Sequence, residues 1–205
     1  MNALCYNNVK SDTITTTTER TFFMLPFSVY EDIYPSRRST LFSNRGMVCT
    51  SIPQASAAGA EILSKGGNAI DAAVAIAAAL PLLEPTSNSI GSDAFAIVWT
   101  NGEIFALNGS GASPRALNAD AVRRAGFTKV PISGWLSVTV PGAPSTWAEL
   151  NRRFGSMSLG ELFAPAIKYA EHGFPLSANT AKMWIKETPR FAHEYKHNPE
   201  LYRPW

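Results

Sequence analysis

Residues 46–95 read GMVCTSIPQASAAGAEILSKGGNAIDAAVAIAAALPLLEPTSNSIGSDAF. The stretch predicts a strand, two alanine-rich helices split by Gly66-Gly67, a loop of small residues and the start of a second strand. Residues 47–51 form a short apolar run that stops before Pro53, the pattern of a strand. Ala55, Ala58, Gly59 and Ile62 then recur at i, i+3, i+4 and i+7, one face of a helix. Small side chains on that face let the helix lie close to a neighbour. Gly66-Gly67 ends it, because glycine takes the left-handed geometry of a helix terminus at little steric cost. Asn68 has the chemistry of an N-cap, and Asp71 lies three residues on, near the positive end of the next helix dipole. That second helix, residues 69–80, is apolar nearly all round apart from Asp71, which predicts burial on most sides.

Downstream, AFAIVWT at 94–100 and EIFAL at 103–107 flank Asn101-Gly102. Asn-Gly accepts the positive φ angles of a type I′ turn, so the two runs predict a hairpin. Both strands are apolar on both faces, which predicts a sheet covered on two sides and a layered α+β fold. Residues 135–140 read as a further strand before Pro141-Gly142. Trp147, Leu150 and Phe154 mark a helical face that stops at Gly155. Ser158 and Glu161 make an S-x-x-E capping box. Leu159, Leu162, Phe163, Ala166, Ile167 and Ala170 continue as one stripe, closed by Gly173 and Pro175. Pro165 inside it lacks a backbone donor and predicts a kink or an irregular first turn. The periodicity fades beyond Ser177. The closing ELYRPW carries no terminating signal, and the chain reads as truncated there. Residues 1–44 read as a leader, and residues 45–205 as the N-terminal part of one larger domain. The leader's four consecutive threonines, 15–18, read as a flexible tract or an edge strand rather than as nucleophiles, since no base is implied beside them.

Composition excludes several classes. At 205 residues and 45% hydrophobic content the chain can bury a sizeable core, or part of a larger one. A net charge of +2, with the paired arginines scattered, gives no basic stripe for nucleic acid. The longest apolar run, residues 69–83, is broken by Asp71 and Pro81 and is too short to span a bilayer. Residues 1–12 hold no hydrophobic stretch, and the TFFMLPF patch at 21–27 lacks a cleavage site, so no secretory signal is read and a cytoplasmic location is expected. Cys5 and Cys49 read as free thiols rather than a disulfide framework.

Candidate chemistry is sparse. His193-Glu194-Tyr195-Lys196-His197 has H-E-x-x-H spacing, but its surroundings are polar and no third ligand follows, so it reads as a solvated segment and no metal or cofactor is implied. The loop at 87–95 has glycine but not the Lys-Ser/Thr pair of a phosphate cradle; it reads as a tight loop, with Asp93 as a cap. Residues 108–115, NGSGASPR, follow a strand directly. Flexible backbone at a strand end is a common place for ligands to approach. Asn108, Ser110 and Arg115 are therefore the candidate substrate-binding residues. Arg115 can hold a carboxylate through its planar fork or remain a solvated surface cation. Ser110 has no histidine near it in sequence, so no Ser-His pair is read.

The ordered succession of these pieces resembles the N-terminal half of the gamma-glutamyltranspeptidase precursor. The pieces are Gly46-Met47-Val48, the alanine-rich helix, Gly66-Gly67-Asn68-Ala69 with Asp71-Ala72-Ala73, Glu84-Pro85, Ile90-Gly91 and the hairpin. Val140-Pro141-Gly142 with Trp147, Phe154-Gly155, and Pro165-Ala166-Ile167 with Gly173-Phe174-Pro175 complete them. The resemblance implies an N-terminal nucleophile hydrolase with an αββα sandwich, of which this chain carries an incomplete, N-terminal part. It implies a zymogen that cuts itself and exposes a threonine, which attacks an amide and forms an acyl-enzyme. That threonine belongs to the C-terminal half, so no catalytic residue is expected in this chain and the chain alone is expected to be inactive. The implied partners are the missing half, or small subunit, and a small-molecule amide. In glutathione-cleaving members an arginine just after the hairpin holds the substrate α-carboxylate; aligned on Leu107 and Pro114, that position here is Ser110. The departure points towards acylase-type relatives. A catalytically inactive scaffold is the other reading. Ser92, standing where glycine is usual, is expected to tighten its loop.

Overall fold

The computed structural model describes residues 41–196 and residue 200. The threonine tract, Cys5, the 21–27 patch and His197 lie outside the described residues. The element order is α1 (Pro53–Ser64), α2 (Ala69–Leu83), β1 (Ala94–Thr100), β2 (Glu103–Gly109), α3 (Ala119–Arg124), a 3₁₀ turn (Trp135–Ser137), α4 (Ala143–Phe154), α5 (Leu159–His172) and α6 (Ala178–Glu194).

Helix α2 is the axis of the fold. It packs against α1 on one side and against α4 and α5 on others. Its near-continuous apolar surface explains this: Ala72, Val74, Ala75, Ile76, Ala79 and Leu83 are all buried. One core layer joins Ile62, Ala72, Val74, Ala75, Trp147, Leu150 and Leu162 with Val98 of the hairpin. A second joins Ile52, Ala55, Ala58, Ile76, Ala79, Leu80, Leu83 and Ala166. Gly59 of α1 leaves room for Ile76 of α2; a Cβ there would stand 2.5 Å from Ile76 Cδ1.

The caps fall where the sequence puts them. Asn68 Oδ1 accepts from the backbone N–H groups of Ile70 and Asp71, and Asp71 returns a bond from the Asn68 N–H, a full capping box. Ser158 and Glu161 make the second one. Helix α2 runs three residues past the expected end and carries Pro81 within its last turn. Helix α5 continues unbroken through Pro165 to His172. Its stripe is only partly covered: Leu162 is buried while Ile167 is exposed.

Strands β1 and β2 pair antiparallel in a single register, from Ala94 opposite Gly109 to Thr100 opposite Glu103. Asn101 and Gly102 take φ of 52° and 82°, the conformation expected of a type I′ turn. Alternation assigns the two faces. Ala94, Ala96, Val98, Phe105 and Leu107 face the helices. Phe95, Ile97, Trp99 and Ile104 point the other way and are 66–80% exposed.

Four expectations need correction. The hairpin is covered on one face only among the described residues, because all the helices in contact with it lie on one side. Residues 47–51 do not form a strand: Met47 makes an isolated bridge and the rest is irregular. Residues 135–140 are not a strand either. Gly134 at φ 92° turns the chain into a short 3₁₀ turn, and Val140 makes one ladder-like bond, its N–H donating to Ala112 O at 2.9 Å. Beyond Ser177, where the periodicity fades, Ala178–Glu194 is nonetheless helical: Ser177 caps α6 by accepting from the Thr180 N–H. Asp93 caps nothing; its carboxylate is exposed and unbonded among the described residues. Mixed helix and sheet, the coarse expectation, is what the chain builds.

Candidate functional site

Asn108 and Ser110 stand where β2 ends. Three segments meet there: the loop before β1, the end of β2, and the turn entering α4. Gly142 N–H and Ala143 N–H both donate to Ser92 O, at 3.2 and 2.9 Å. The first turn of α4 thereby clasps the loop that feeds β1. Ser92 also tightens its own loop, its Oγ donating to Ser89 O at 2.6 Å. Gly109, Gly111 and Gly142 allow the crossing. A Cβ at Gly142 would overlap the Gly109 carbonyl, one at Gly111 would overlap the Val140 carbonyl, and one at Gly109 would overlap Thr146 Oγ1. Thr146 is buried, and its Oγ1 donates to Gly142 O at 2.9 Å. Ser145 Oγ donates to the same carbonyl at 2.8 Å.

At this crossing Asn108 Oδ1 accepts from the Ser110 N–H at 3.0 Å, a turn closed by its own side chain. Asn108 is exposed and Ser110 half-buried. The Asn108 amide NH₂ and the Ser110 hydroxyl make no bond within the described residues, so both remain available to a ligand. Arg115 lies farther along, exposed at a turn and in no ion pair among the described residues. The structure therefore brings Asn108 and Ser110 together and leaves Arg115 on the solvated surface.

The register extends the site in a way the sequence pattern did not reveal. Phe95 lies directly opposite Asn108 and shares its face. The open apolar side of the hairpin thus runs from Trp99 and Ile104, near the turn, to Phe95 and Asn108 at the far end.

Two concavities lie elsewhere. One of about 440 Å³ sits at the opposite, turn end of the hairpin, bounded by Asn68, Thr100, Glu103, Phe105 and Arg153. The other, about 570 Å³, is an apolar groove between α2, α5 and the 85–90 loop. Neither includes Asn108, Ser110 or Arg115. No group of three metal-ligating side chains occurs among the described residues, and His193 is exposed on α6. No helix of the described residues is long and apolar enough to cross a membrane. Cys49 is an exposed free thiol.

Away from the site, Asp71 does more than cap α2. It is fully buried, and its carboxylate accepts from Ser156 N–H at 3.0 Å, from Ser156 Oγ and from Met157 N–H at 3.3 Å. Asn68 Nδ2 adds a bond to Phe154 O at 2.7 Å. These bonds lock the start of α2 to the α4–α5 corner. Glu149, on the outer face of α4, bonds Arg152 and Arg153. These two guanidinium groups hold its carboxyl well below the usual range, at about 2.

The family model described as "Gamma-glutamyltranspeptidase" matches residues 55–205. The glutathione hydrolase-like YwrD proenzyme of Bacillus subtilis (strain 168) is 35% identical over 146 residues, covering 70% of this chain and 27% of that protein. The crystal structure of cephalosporin acylase from Bacillus halodurans superposes with a TM-score of 0.75 at 50% identity, covering 83% of this chain and 32% of that one. The Helicobacter pylori gamma-glutamyltranspeptidase structure gives 0.70 at 33% identity, covering 76% and 46%. The chain thus spans about a quarter to a third of the curated relatives it matches.

Proposed function

Since the chain belongs to the gamma-glutamyltranspeptidase family, we propose that residues 45–205 are the large-subunit portion of an amide hydrolase or acyltransferase matured by self-cleavage. The bond-breaking group is a threonine contributed by the C-terminal half of the precursor. Its hydroxyl attacks the amide carbonyl, its freed amine takes the proton, and the leaving amine departs. Water, or an acceptor amine, then releases the acyl group. Backbone donors in the other half stabilise the oxyanion.

One observation carries this reading. Among the described residues the hairpin leaves an apolar face open, with Phe95, Ile97, Trp99 and Ile104 exposed, and the uncommitted donors of Asn108 and Ser110 sit at its end. A two-stranded sheet is marginal alone, and a face of this kind needs a covering layer. In the αββα arrangement that layer is the second sheet, supplied by the missing half. The substrate then lies where the two layers part, beside Asn108 and Ser110. Arg115 supplies a cation at the outer rim for an acidic substrate group.

A specific residue favours the acylase branch of this reading. Ser110 gives a hydrogen bond but no charge, so an α-carboxylate at that point would lack the ion pair expected of a glutathione-cleaving site. The 50% identity to cephalosporin acylase leans the same way.

Expression of the complete precursor tests the proposal. It should split into two pieces, with a threonine at the new N-terminus by protein sequencing, and should hydrolyse amides once cut. Threonine-to-alanine replacement at that position should abolish both. A precursor that stays whole and inert would leave only the scaffold reading. Within an active enzyme, Ser110→Ala and Asn108→Ala should each lower kcat/KM about tenfold or more, the worth of one well-placed hydrogen bond.

A further inference from the structure

We propose that Phe95 is a specificity-determining residue, forming the apolar wall against which the acyl group of the substrate packs. The inference rests on the reading above, that Asn108 and Ser110 contact the substrate.

The register carries it. Phe95 is paired with Asn108, so their side chains leave the same face of the hairpin side by side, with Cβ atoms about 4.5–5.5 Å apart. Phe95 is 66% exposed, and the described residues offer its ring no aromatic partner. It differs from its neighbours on the face by position. Ile97, and beyond it Trp99 with its partner Ile104, lie farther towards the Asn101–Gly102 turn, away from the donors. Phe95 lies at the end where the donors are. Its place is also fixed. Ser92 O, three residues before it, is held by the N–H groups of Gly142 and Ala143. Gly109, one residue after its partner Asn108, is wedged against Thr146 and Gly142. A large apolar group held rigidly beside a few uncommitted polar groups is the usual composition of a small-molecule site. The substrate class this suits is an amide whose acyl part carries an aromatic ring or a long alkyl chain.

The test uses the complete precursor and a series of acyl p-nitroanilides running from acetyl to phenylacetyl. For Phe95→Ala, kcat/KM for phenylacetyl should fall about tenfold while that for acetyl changes little. Phe95→Leu should recover most of the loss. Trp99→Ala, on the same face but remote from the donors, should leave the phenylacetyl-to-acetyl ratio unchanged. An unchanged ratio in both Phe95 variants, in an enzyme that matures and turns over, overturns this proposal and spares the functional reading. Should Phe95→Ala fail to mature, Phe95→Thr replaces it, and a ratio equal to that of the wild type in that variant overturns the proposal. A matured enzyme that is inert towards the whole series but cleaves γ-glutamyl p-nitroanilide overturns this proposal alone, and a precursor that stays whole and inert towards both overturns the two together.

Discussion

Asp71 and Ser156, 85 residues apart in sequence, are joined by bonds from both the backbone N–H and the hydroxyl of Ser156 to the Asp71 carboxylate. The carboxylate is fully buried. It satisfies the first turn of α2 and the α4–α5 corner together, so its loss leaves several part-buried donors without this partner. Asp71→Ala should destabilise the chain by about 3 kcal/mol, and Ser156→Ala by about 1 kcal/mol. Urea unfolding followed by circular dichroism would measure both, and equal effects would refute the central role given to the carboxylate.

Gly142 is held by contact, not by conformation. Its φ is −97°, open to any residue, yet a Cβ would overlap the Gly109 carbonyl. Gly142→Ala should therefore separate the end of β2 from α4 and cost about 2 kcal/mol or more. Gly126→Ala is the informative contrast. Nothing lies within 4 Å of its Cβ position, but its φ of 86° strains any other residue. It should cost about 1 kcal/mol through the backbone alone. Thermal melts of the two variants would separate crowding from strain.

Glu149 sets an acid limit. Its carboxyl titrates at about 2 in the folded chain, against 4.5 ordinarily, because Arg152 and Arg153 bond it. Glu161 is lowered too, by bonds from the Ser158 hydroxyl and N–H. A carboxylate lowered on folding stabilises the fold above its unfolded value. Its contribution fades as pH falls from about 4.5 to about 2. Unfolding midpoints should decline across that window, and less steeply in Glu149→Gln. The effect should be small and salt-sensitive, since these groups lie at the surface.

The open hairpin face should make the chain of residues 1–205 self-associate when expressed by itself, through Phe95, Ile97, Trp99 and Ile104. Ile97→Thr with Ile104→Thr should shift it towards monomer without unfolding the helices. Size-exclusion chromatography with light scattering would show this. A wild-type chain that runs as a clean monomer at high concentration would contradict it.

Legibility followed how local each feature is. Helices α1, α2 and α5 were readable because their apolar spacing and their caps lie within one window. Asn68 with Asp71 and Ser158 with Glu161 announce helix starts by side chains that bond their own backbone. Asn101-Gly102 likewise encodes its own turn. Helix α6 is weakly marked in the sequence because its apolar residues are sparse, with Trp184 and Phe191 set among lysines and threonines, and Pro189 interrupts the pattern. Helix α3 is only six residues long, too short for a period to declare itself. The strands read at 47–51 and 135–140 have the right composition, but a strand exists only by pairing, and no described strand runs beside them.

Of the candidate site, the sequence named Asn108 and Ser110 but not what stands around them. Phe95 lies thirteen residues before Asn108 in the chain, and only the hairpin register places them side by side. Asp71 reads as a cap, and nothing near it in sequence hints at Ser156.

Local chemistry suffices for the caps, the turn and the buried stripes of α1 and α2, because hydrogen bonds within a few residues and regular apolar spacing are written within one window. Long-range packing selects which strand-like runs become strands, which hairpin face stays open among the described residues, and that Gly109, Gly111 and Gly142 must be glycine. These depend on groups brought together from far along the chain, whose meeting no local spacing records.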